Sequence, residues 1–355
     1  MNNSKILSLV AGSSGGHILP AIQIGKKWLQ KNPKGKIIFF CSKKNIDKKI
    51  LNKTSFINHI IFLNLCNFPS KKIWLYPKFI FQFIIVFFKS LFYIFKYKPY
   101  KIIGTGGYIS IPVCIAAKLI KSRIELYELN VVPGRAIKVL TKIANKIFIT
   151  FEGSKFFLQN RVKNFAQRCE LIDYPIRFKK QNKISDKQTI IKTMNKNFET
   201  TFFRDKKTIF LLGGSQGSIF LNRLLKKWIH KNKYLLTKIQ IIHQTGIKDK
   251  TDWNSFYKNL EIPSIIFSYD ENIKNYYLIS DLIICRAGAG TLFEIEFFKK
   301  QSLVIPLKSK QTDHQVDNAL EMQYKNPNLF TLQDQNLITK NFNLFSDEII
   351  KILNL

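Results

Sequence analysis

The chain has no D-x-D triplet, no C-x-x-C pair and no group of His, Asp and Glu at metal-ligand spacing. A diphosphate leaving group handled here would have to be stabilised by helix dipoles, backbone N–H groups and cations such as Arg177, with no obligatory metal and no cofactor. The five cysteines (Cys41, Cys66, Cys114, Cys169, Cys285) are an odd number without paired spacing. That argues against a disulfide framework or a structural zinc site and suits a reducing cytoplasm. A strand-like run begins within a few residues of Met1 and leaves no room for a signal peptide ahead of it. Acidic residues are scarce: 23 against 57 basic ones, a formal net charge of +34. Such a balance points to nucleic acid or an anionic membrane. However, Lys far outnumbers Arg, Ile, Asn and Phe are heavily used, and no run of five basic residues occurs. That composition is what an AT-rich genome would favour. With no RNA-binding aromatic signature either, an anionic lipid surface is the expected neighbour and nucleic acid is not.

What is present is a repeated pattern. Four apolar runs each end in a glycine cluster and then give way to a helical pattern. Ile6–Val10 precedes Gly12–Gly16, and Ile102-Ile103 precedes Gly104–Tyr108. Ile209–Leu212 precedes Gly213–Gly217, and Leu282–Ile284 precedes Arg286–Gly290. Short continuous apolar runs suit buried parallel strands followed by crossover helices. Two such loops in each half predict an α/β protein of two Rossmann-like domains facing across a cleft. With 355 residues the chain is long enough for two domains. The expected division is 1–175, a membrane-facing α/β domain; 176–340, a second α/β domain; and 341–355, a C-terminal helix packing back on the first. The polar stretch Lys179–Lys207 reads as linker and flanking loop.

Phe79–Phe95 is the most apolar segment, with Lys78, Gln82, Lys89 and Lys96 forming a narrow polar stripe at helical spacing. Trp74 and Tyr76 before it, Tyr97 after it and nearby lysines suit insertion at a membrane interface, through Trp74, Phe79, Phe83, Phe87 and Phe88. A core helix of the first domain fits the same pattern. A full span is disfavoured by its length and interruptions.

A glycine cluster at a helix N-terminus lets backbone N–H groups approach an anion, and the helix dipole favours the negative charge. His17 begins the first such helix, where the dipole disfavours its cation and leaves a neutral ring available as a base. It could equally pack against the turn. Glu294 stands three residues after Thr291, the spacing of a capping box, yet its carboxylate could also accept from ribose hydroxyls. Asp313, His314, Gln315 and Asn318 follow the run Leu303–Pro306, where an open α/β sheet binds its ligand; Asp313 and His314 could also be a solvated turn.

These pieces occur in a familiar order. Gly12–His17, Gly106-Gly107-Tyr108 with Ser110 and Pro112, Gly213–Gly217, His243–Gly246, Cys285–Ala289 with Glu294, and His314-Gln315 with Asn318 together resemble the MurG family. The resemblance runs from about residue 5 to 325. It implies the GT-B architecture and inverting transfer of N-acetylglucosamine from UDP-N-acetylglucosamine to the 4-hydroxyl of undecaprenyl-pyrophosphoryl-N-acetylmuramyl-pentapeptide. It also implies a peripheral position on the cytoplasmic face of the inner membrane. By the resemblance, Ser215, Ala289, Gly290, Thr291, Leu292, Glu294 and Gln315 line the donor site, and Asn130 and Arg177 approach it from the first domain and hinge. Ser14, Gly15 and Gly16 meet diphosphate and sugar, and His17 is the candidate base. The family's usual residues are replaced at Ser13 and Ser14, at Tyr127 and Leu129, at Ile137 and at Asp173-Tyr174, all in the first half. A UDP-N-acetylglucosamine epimerase on the same fold and a membrane-bound scaffold without transfer activity are the alternatives.

Overall fold

The computed structural model describes residues 5–12, 15–69, 72–179, 181, 186–214, 217–270, 272–307 and 314–355. It divides into two compact units, Met1–Arg177 and Phe178–Leu355. The first unit begins β1 (Ile6–Val10), α1 (Gly15–Lys31), β2 (Lys36–Ser42), α2 (Asn45–Asn52) and β3 (His59–Leu63). A 3-10 turn, Ile73–Leu75, leads into α3 (Tyr76–Tyr97), then β4 (Lys101–Gly104), α4 (Ser110–Leu119), β5 (Arg123–Glu128) and α5 (Arg135–Leu140). β6 (Lys146–Ile149), α6 (Ser154–Leu158), α7 (Phe165–Arg168) and β7 (Cys169–Leu171) complete it.

The seven strands form one parallel sheet in the order β3-β2-β1-β4-β5-β6-β7. Its central strands, β1, β2 and β4, are mostly apolar because both faces are covered. Ile37, Phe39 and Cys41 of β2 join a core built with α1, whereas Ile38 and Phe40 join the core under α4. Successive side chains point to opposite faces, so a sheet sandwiched between helices needs an unbroken run.

The second unit follows the same plan: α8 (Lys187–Phe198), β8 (Lys207–Leu212), α9 (Ile219–Lys231), β9 (Ile239–Gln244), α10 (Trp253–Asn259) and β10 (Ser264–Phe267). Then come α11 (Lys274–Ile279), β11 (Leu282–Cys285), α12 (Ala289–Phe298), β12 (Ser302–Val304) and α13 (His314–Lys325). β13 (Phe330–Leu332), α14 (Gln335–Lys340) and α15 (Asn343–Leu353) end the chain. The parallel order is β10-β9-β8-β11-β12-β13.

Two expectations are corrected by packing. The polar stretch read as linker contains α8, which buries Ile190, Ile191 and Met194 and is capped by Asp186 accepting from Thr189 N at 2.8 Å. The C-terminal helix, expected against the first domain, puts Phe345, Ile349 and Leu353 into the core of the second unit.

Candidate functional site

Strand order reverses between β1 and β4 in the first sheet and between β8 and β11 in the second. The loops after these strands are the four glycine clusters, so each pair stands at a topological switch point, where open α/β sheets bind ligands. Val10 pairs with Gly104, and Leu212 with Cys285, so each pair of strands ends level and its loops leave side by side.

In the first unit the two loops interlock around His17. Thr105 Oγ1 donates to His17 O at 2.9 Å, and Ser110 Oγ donates to Gly106 O at 2.7 Å. Gly106 has φ +116°, and a β-carbon there would lie 2.8 Å from Cε1 and 2.9 Å from Nδ1 of His17. The half-buried imidazole therefore occupies the space that the missing side chain leaves. Gly15 and Gly16 open α1, where the N–H groups of the first turn have no intrahelical acceptor. Ser14 lies outside the described residues, as do Ser215 and Asp313.

Asn130 is set by its neighbour Glu128. The buried Glu128 carboxylate accepts from the N–H groups of Leu129 (2.8 Å), Asn130 (2.9 Å) and Gly134 (2.8 Å), and from Asn130 Nδ2 (3.3 Å). Burial pushes its carboxyl up to about 7, against the pull of those donors. Glu128→Gln would set an amide NH2 against at least one backbone donor. It is expected to cost the first unit about 1–3 kcal/mol, read from urea unfolding; an unchanged midpoint would show that the loop holds without the carboxylate. Arg177 ends this unit, half-buried just after Pro175 and Ile176.

In the second unit α12 starts at Ala289 with Gly288 as its N-cap. Ala289, Gly290 and Thr291 thus occupy the first turn and present their N–H groups outward. Leu292 offers a ligand neither group: its side chain is fully buried and its N–H donates to Gly288 O at 3.1 Å. The capping-box spacing is not used either, because Thr291 lies inside the helix. The Glu294 carboxylate instead accepts from Tyr277 OH at 2.9 Å, and Tyr277 stacks on Phe298 with ring centroids 5.1 Å apart. Gln315 Oε1 accepts from Leu307 N at 3.0 Å, leaving its amide NH2 as the donor it can offer. Asn318 Nδ2 donates to Ala287 O at 3.4 Å, tying α13 to the loop before α12.

Two further residues hold these loops. Arg286 Nε donates to Ser218 Oγ at 3.2 Å and its NH1 to Ile305 O at 3.0 Å, joining the loops after β8, β11 and β12. Burial lowers its pKa to about 10, so it stays charged at neutral pH. His243 is buried between Asn222 Oδ1 (3.1 Å) and Tyr257 OH (2.9 Å), and desolvation lowers its pKa to about 3. A neutral ring with its proton on Nε2 satisfies both contacts. This histidine is structural. Among the described residues, no three His, Cys, Asp or Glu side chains group as a metal site requires.

The apolar segment forms α3, which buries only Val86, Ser90 and Ile94. Of the residues expected at a membrane, Trp74 is 72% and Phe88 61% exposed, whereas Phe79 and Phe83 are half-buried. Phe87 packs against the core under α4 and is corrected to a packing residue. The outward stripe comprises Ile80, Phe81, Ile84, Ile85, Phe88, Phe92 and Phe95, preceded by Ile73 and Trp74. α3 is therefore no core helix. Two members of its polar stripe turn to the protein: Gln82 Oε1 accepts from Cys66 N at 2.9 Å and Lys89 Nζ donates to Phe62 O at 3.1 Å.

Comparison with known proteins agrees with this layout. The descriptions "Glycosyltransferase family 28 N-terminal domain" and "Glycosyltransferase family 28 C-terminal domain" match residues 7–149 and 208–341. A curated relative is the UDP-N-acetylglucosamine--N-acetylmuramyl-(pentapeptide) pyrophosphoryl-undecaprenol N-acetylglucosamine transferase of Thermodesulfovibrio yellowstonii. It is 31% identical over 315 residues, covering 88% of this chain and 81% of that protein. The crystal structure of Acinetobacter baumannii MurG superposes with a TM-score of 0.68 at 19% identity, covering 98% of this chain and 91% of that one. The UDP-GlcNAc 2-epimerase of Neisseria meningitidis, bound to UDP-GlcNAc, gives a TM-score of 0.58 at 14% identity, covering 91% and 92%. These two structural likenesses establish the GT-B fold alone. With two parallel sheets, both family-28 domains in order and 31% identity across both units, the chain belongs to the MurG family of glycosyltransferases.

Proposed function

We propose that the chain transfers N-acetylglucosamine from UDP-N-acetylglucosamine to a muramyl-pentapeptide carried on undecaprenyl pyrophosphate, at the cytoplasmic face of the inner membrane. Identity of 31% over both units to a transferase whose name specifies these substrates carries the reaction. The proposed roles are these. The first turn of α12 receives the UDP diphosphate at its N–H groups. Glu294, held by Tyr277, accepts from the ribose hydroxyls, and the Gln315 amide meets a sugar hydroxyl. His17 removes the proton of the acceptor 4-hydroxyl as its oxygen bonds to the anomeric carbon. The bond from that carbon to the diphosphate oxygen breaks with inversion, and UDP leaves. The α12 N-terminus offsets the negative charge that develops on the diphosphate.

The outward face of α3 supports the membrane position. It presents aromatic and aliphatic side chains along its whole length, while Val86, Ser90 and Ile94 fix the other side to the first unit. With one side fixed to the first unit and the other apolar, such a helix suits a position in the interface. An epimerase would leave this face without a purpose, and the likeness to epimerases extends to the fold only.

The test is transfer of labelled N-acetylglucosamine to a polyprenyl-pyrophosphoryl-muramyl acceptor. Wild type should transfer, and Glu294→Ala should raise the KM for UDP-N-acetylglucosamine roughly 10- to 100-fold, the range for a hydrogen bond to a charged group. Absence of transfer by folded wild type that still binds UDP would favour the scaffold reading. An unchanged KM would remove Glu294 from the donor site.

A further inference from the structure

Two adjacent tyrosines on α11 are buried, and their hydroxyls go to different acids. Tyr276 OH donates to Asp270 Oδ2 at 2.8 Å, in the loop before its own helix. Tyr277 OH reaches across to α12 and donates to Glu294 Oε2 at 2.9 Å. The Tyr277 ring is held on several sides. It stacks on Phe298 with centroids 5.1 Å apart and planes at 12°, and meets Phe210 edge-on at 5.6 Å and Phe178 edge-on at 5.9 Å. Phe298 lies one turn after Glu294 on α12, so the stacking ring and the carboxylate share one helix face. The stack thus fixes where the phenol hydroxyl falls, and the hydroxyl fixes Glu294. A long helical side chain leans toward the N-terminus of its helix. For Glu294 that is the turn proposed to receive the diphosphate, which the ribose adjoins in a nucleoside diphosphate.

We infer that Tyr277 is the positioning residue that makes the donor site select a ribose over a sugar lacking its hydroxyls. By holding one carboxylate oxygen, it sets the direction from which Glu294 accepts. The inference rests on the reading that Glu294 meets the ribose, and adds what makes that contact selective. A glutamate side chain has three rotatable bonds, and ordering them on binding would cost affinity. Held in advance by Tyr277, the carboxylate presents itself to the vicinal hydroxyls at little further entropic cost. A site built to pair with hydroxyls discriminates against a ligand without them, because its buried polar atoms are then left unpaired. Tyr277 acts through Glu294 and does not itself touch the nucleotide.

The experiment is titration calorimetry of the full chain with UDP and with 2′,3′-dideoxy-UDP. Wild type should bind UDP roughly 10- to 100-fold more tightly. Tyr277→Phe keeps the ring and its stack and removes only the hydroxyl. It should lower UDP affinity roughly 5- to 20-fold and leave affinity for the dideoxy compound within about threefold. Retained dideoxy binding reports an intact fold in the same measurement. In turnover, the KM for UDP-N-acetylglucosamine should rise by a similar factor with kcat little changed. Glu294→Ala should lose the preference, and adding Tyr277→Phe to it should lower UDP affinity no further, because the hydroxyl acts through the carboxylate. Equal losses for both ligands in Tyr277→Phe, or a further loss in the double variant, would show a packing role and overturn the assignment. Tyr276→Phe removes the other hydroxyl of α11 and should leave the ratio of the two affinities as in wild type. A ratio that falls as far there would mean that α11 has loosened, and would overturn the assignment too. If wild type binds both ligands alike and Glu294→Ala binds UDP as tightly, Glu294 does not meet the ribose. That outcome refutes the underlying donor-site reading, and is distinct from failure of Tyr277 alone.

Discussion

Replacing His17 by alanine is expected to lower kcat by about 10²- to 10⁴-fold, the usual contribution of a general base, while the KM for UDP-N-acetylglucosamine stays within about threefold. The ring stands in the first turn of α1 and abuts Gly106. It lies at the switch point of the first unit, and the donor groups of α12 belong to the second. Gly106→Ala is the companion test, because it leaves the imidazole intact and takes its space. The new β-carbon would stand 2.8 Å from the ring in a backbone with φ +116°. The ring can swing aside, so the unit should still fold, at a cost of roughly 1–2 kcal/mol for the strained backbone. kcat should nevertheless fall at least tenfold. If His17→Ala retains more than about a tenth of wild-type kcat, another group is the base and the neighbouring glycine serves packing only.

Much of this arrangement was legible in the sequence because one physical constraint repeats. A parallel strand covered on both faces must be apolar throughout, and a ligand loop at its end must let backbone approach an anion. Together these mark β1, β4, β8 and β11 without reference to any relative. The alternatives left open at single residues needed packing to resolve. Thr291 and Glu294 have capping-box spacing, but the helix begins two residues earlier, at Ala289, and the partner of Glu294 is Tyr277, 17 residues away on α11. Glu128 stands between Tyr127 and Leu129, two positions where the family's usual residues are replaced. Its value lies in three backbone N–H groups, which have no sequence signature. Arg286 is one residue of the run Cys285–Ala289, and the three loops it joins meet only in the folded sheet. Periodicity made α3 a helix but did not say which face α4 covers, so Phe87 was placed outward and Phe81 and Phe92 were overlooked. In α8, the apolar triplet Ile190, Ile191 and Met194 is diluted by Lys, Thr and Asn and reads as linker until its burial is seen.

Gly217→Ala is expected to be the most damaging single-atom change in the donor loop, lowering the stability of the second unit by about 3 kcal/mol or more. A β-carbon at 217 would lie 2.4 Å from Gly246 Cα and 2.5 Å from Thr245 O, both backbone atoms. That backbone has little freedom to retreat. Thr245 N donates to Phe267 O at 3.0 Å, and Thr245 O accepts from Asn222 Nδ2 at 2.9 Å. Asn222 is itself held by His243. The loop after β8 must therefore move, and with it Ser218, which receives Arg286. UDP affinity should fall at least tenfold as that loop leaves its place. Gly214→Ala separates contact from conformation: its φ of +81° is close to the +75° of Gly217, but nothing lies within 4 Å of the added carbon. It should cost only about 1–2 kcal/mol, the left-handed penalty for a residue with a side chain. Urea unfolding with hydrogen exchange across β8 and β9 would measure both in the correct unit. Equal losses in the two variants would mean that φ alone sets the cost, and that the close approach of the loops after β8 and β9 contributes nothing to the donor site.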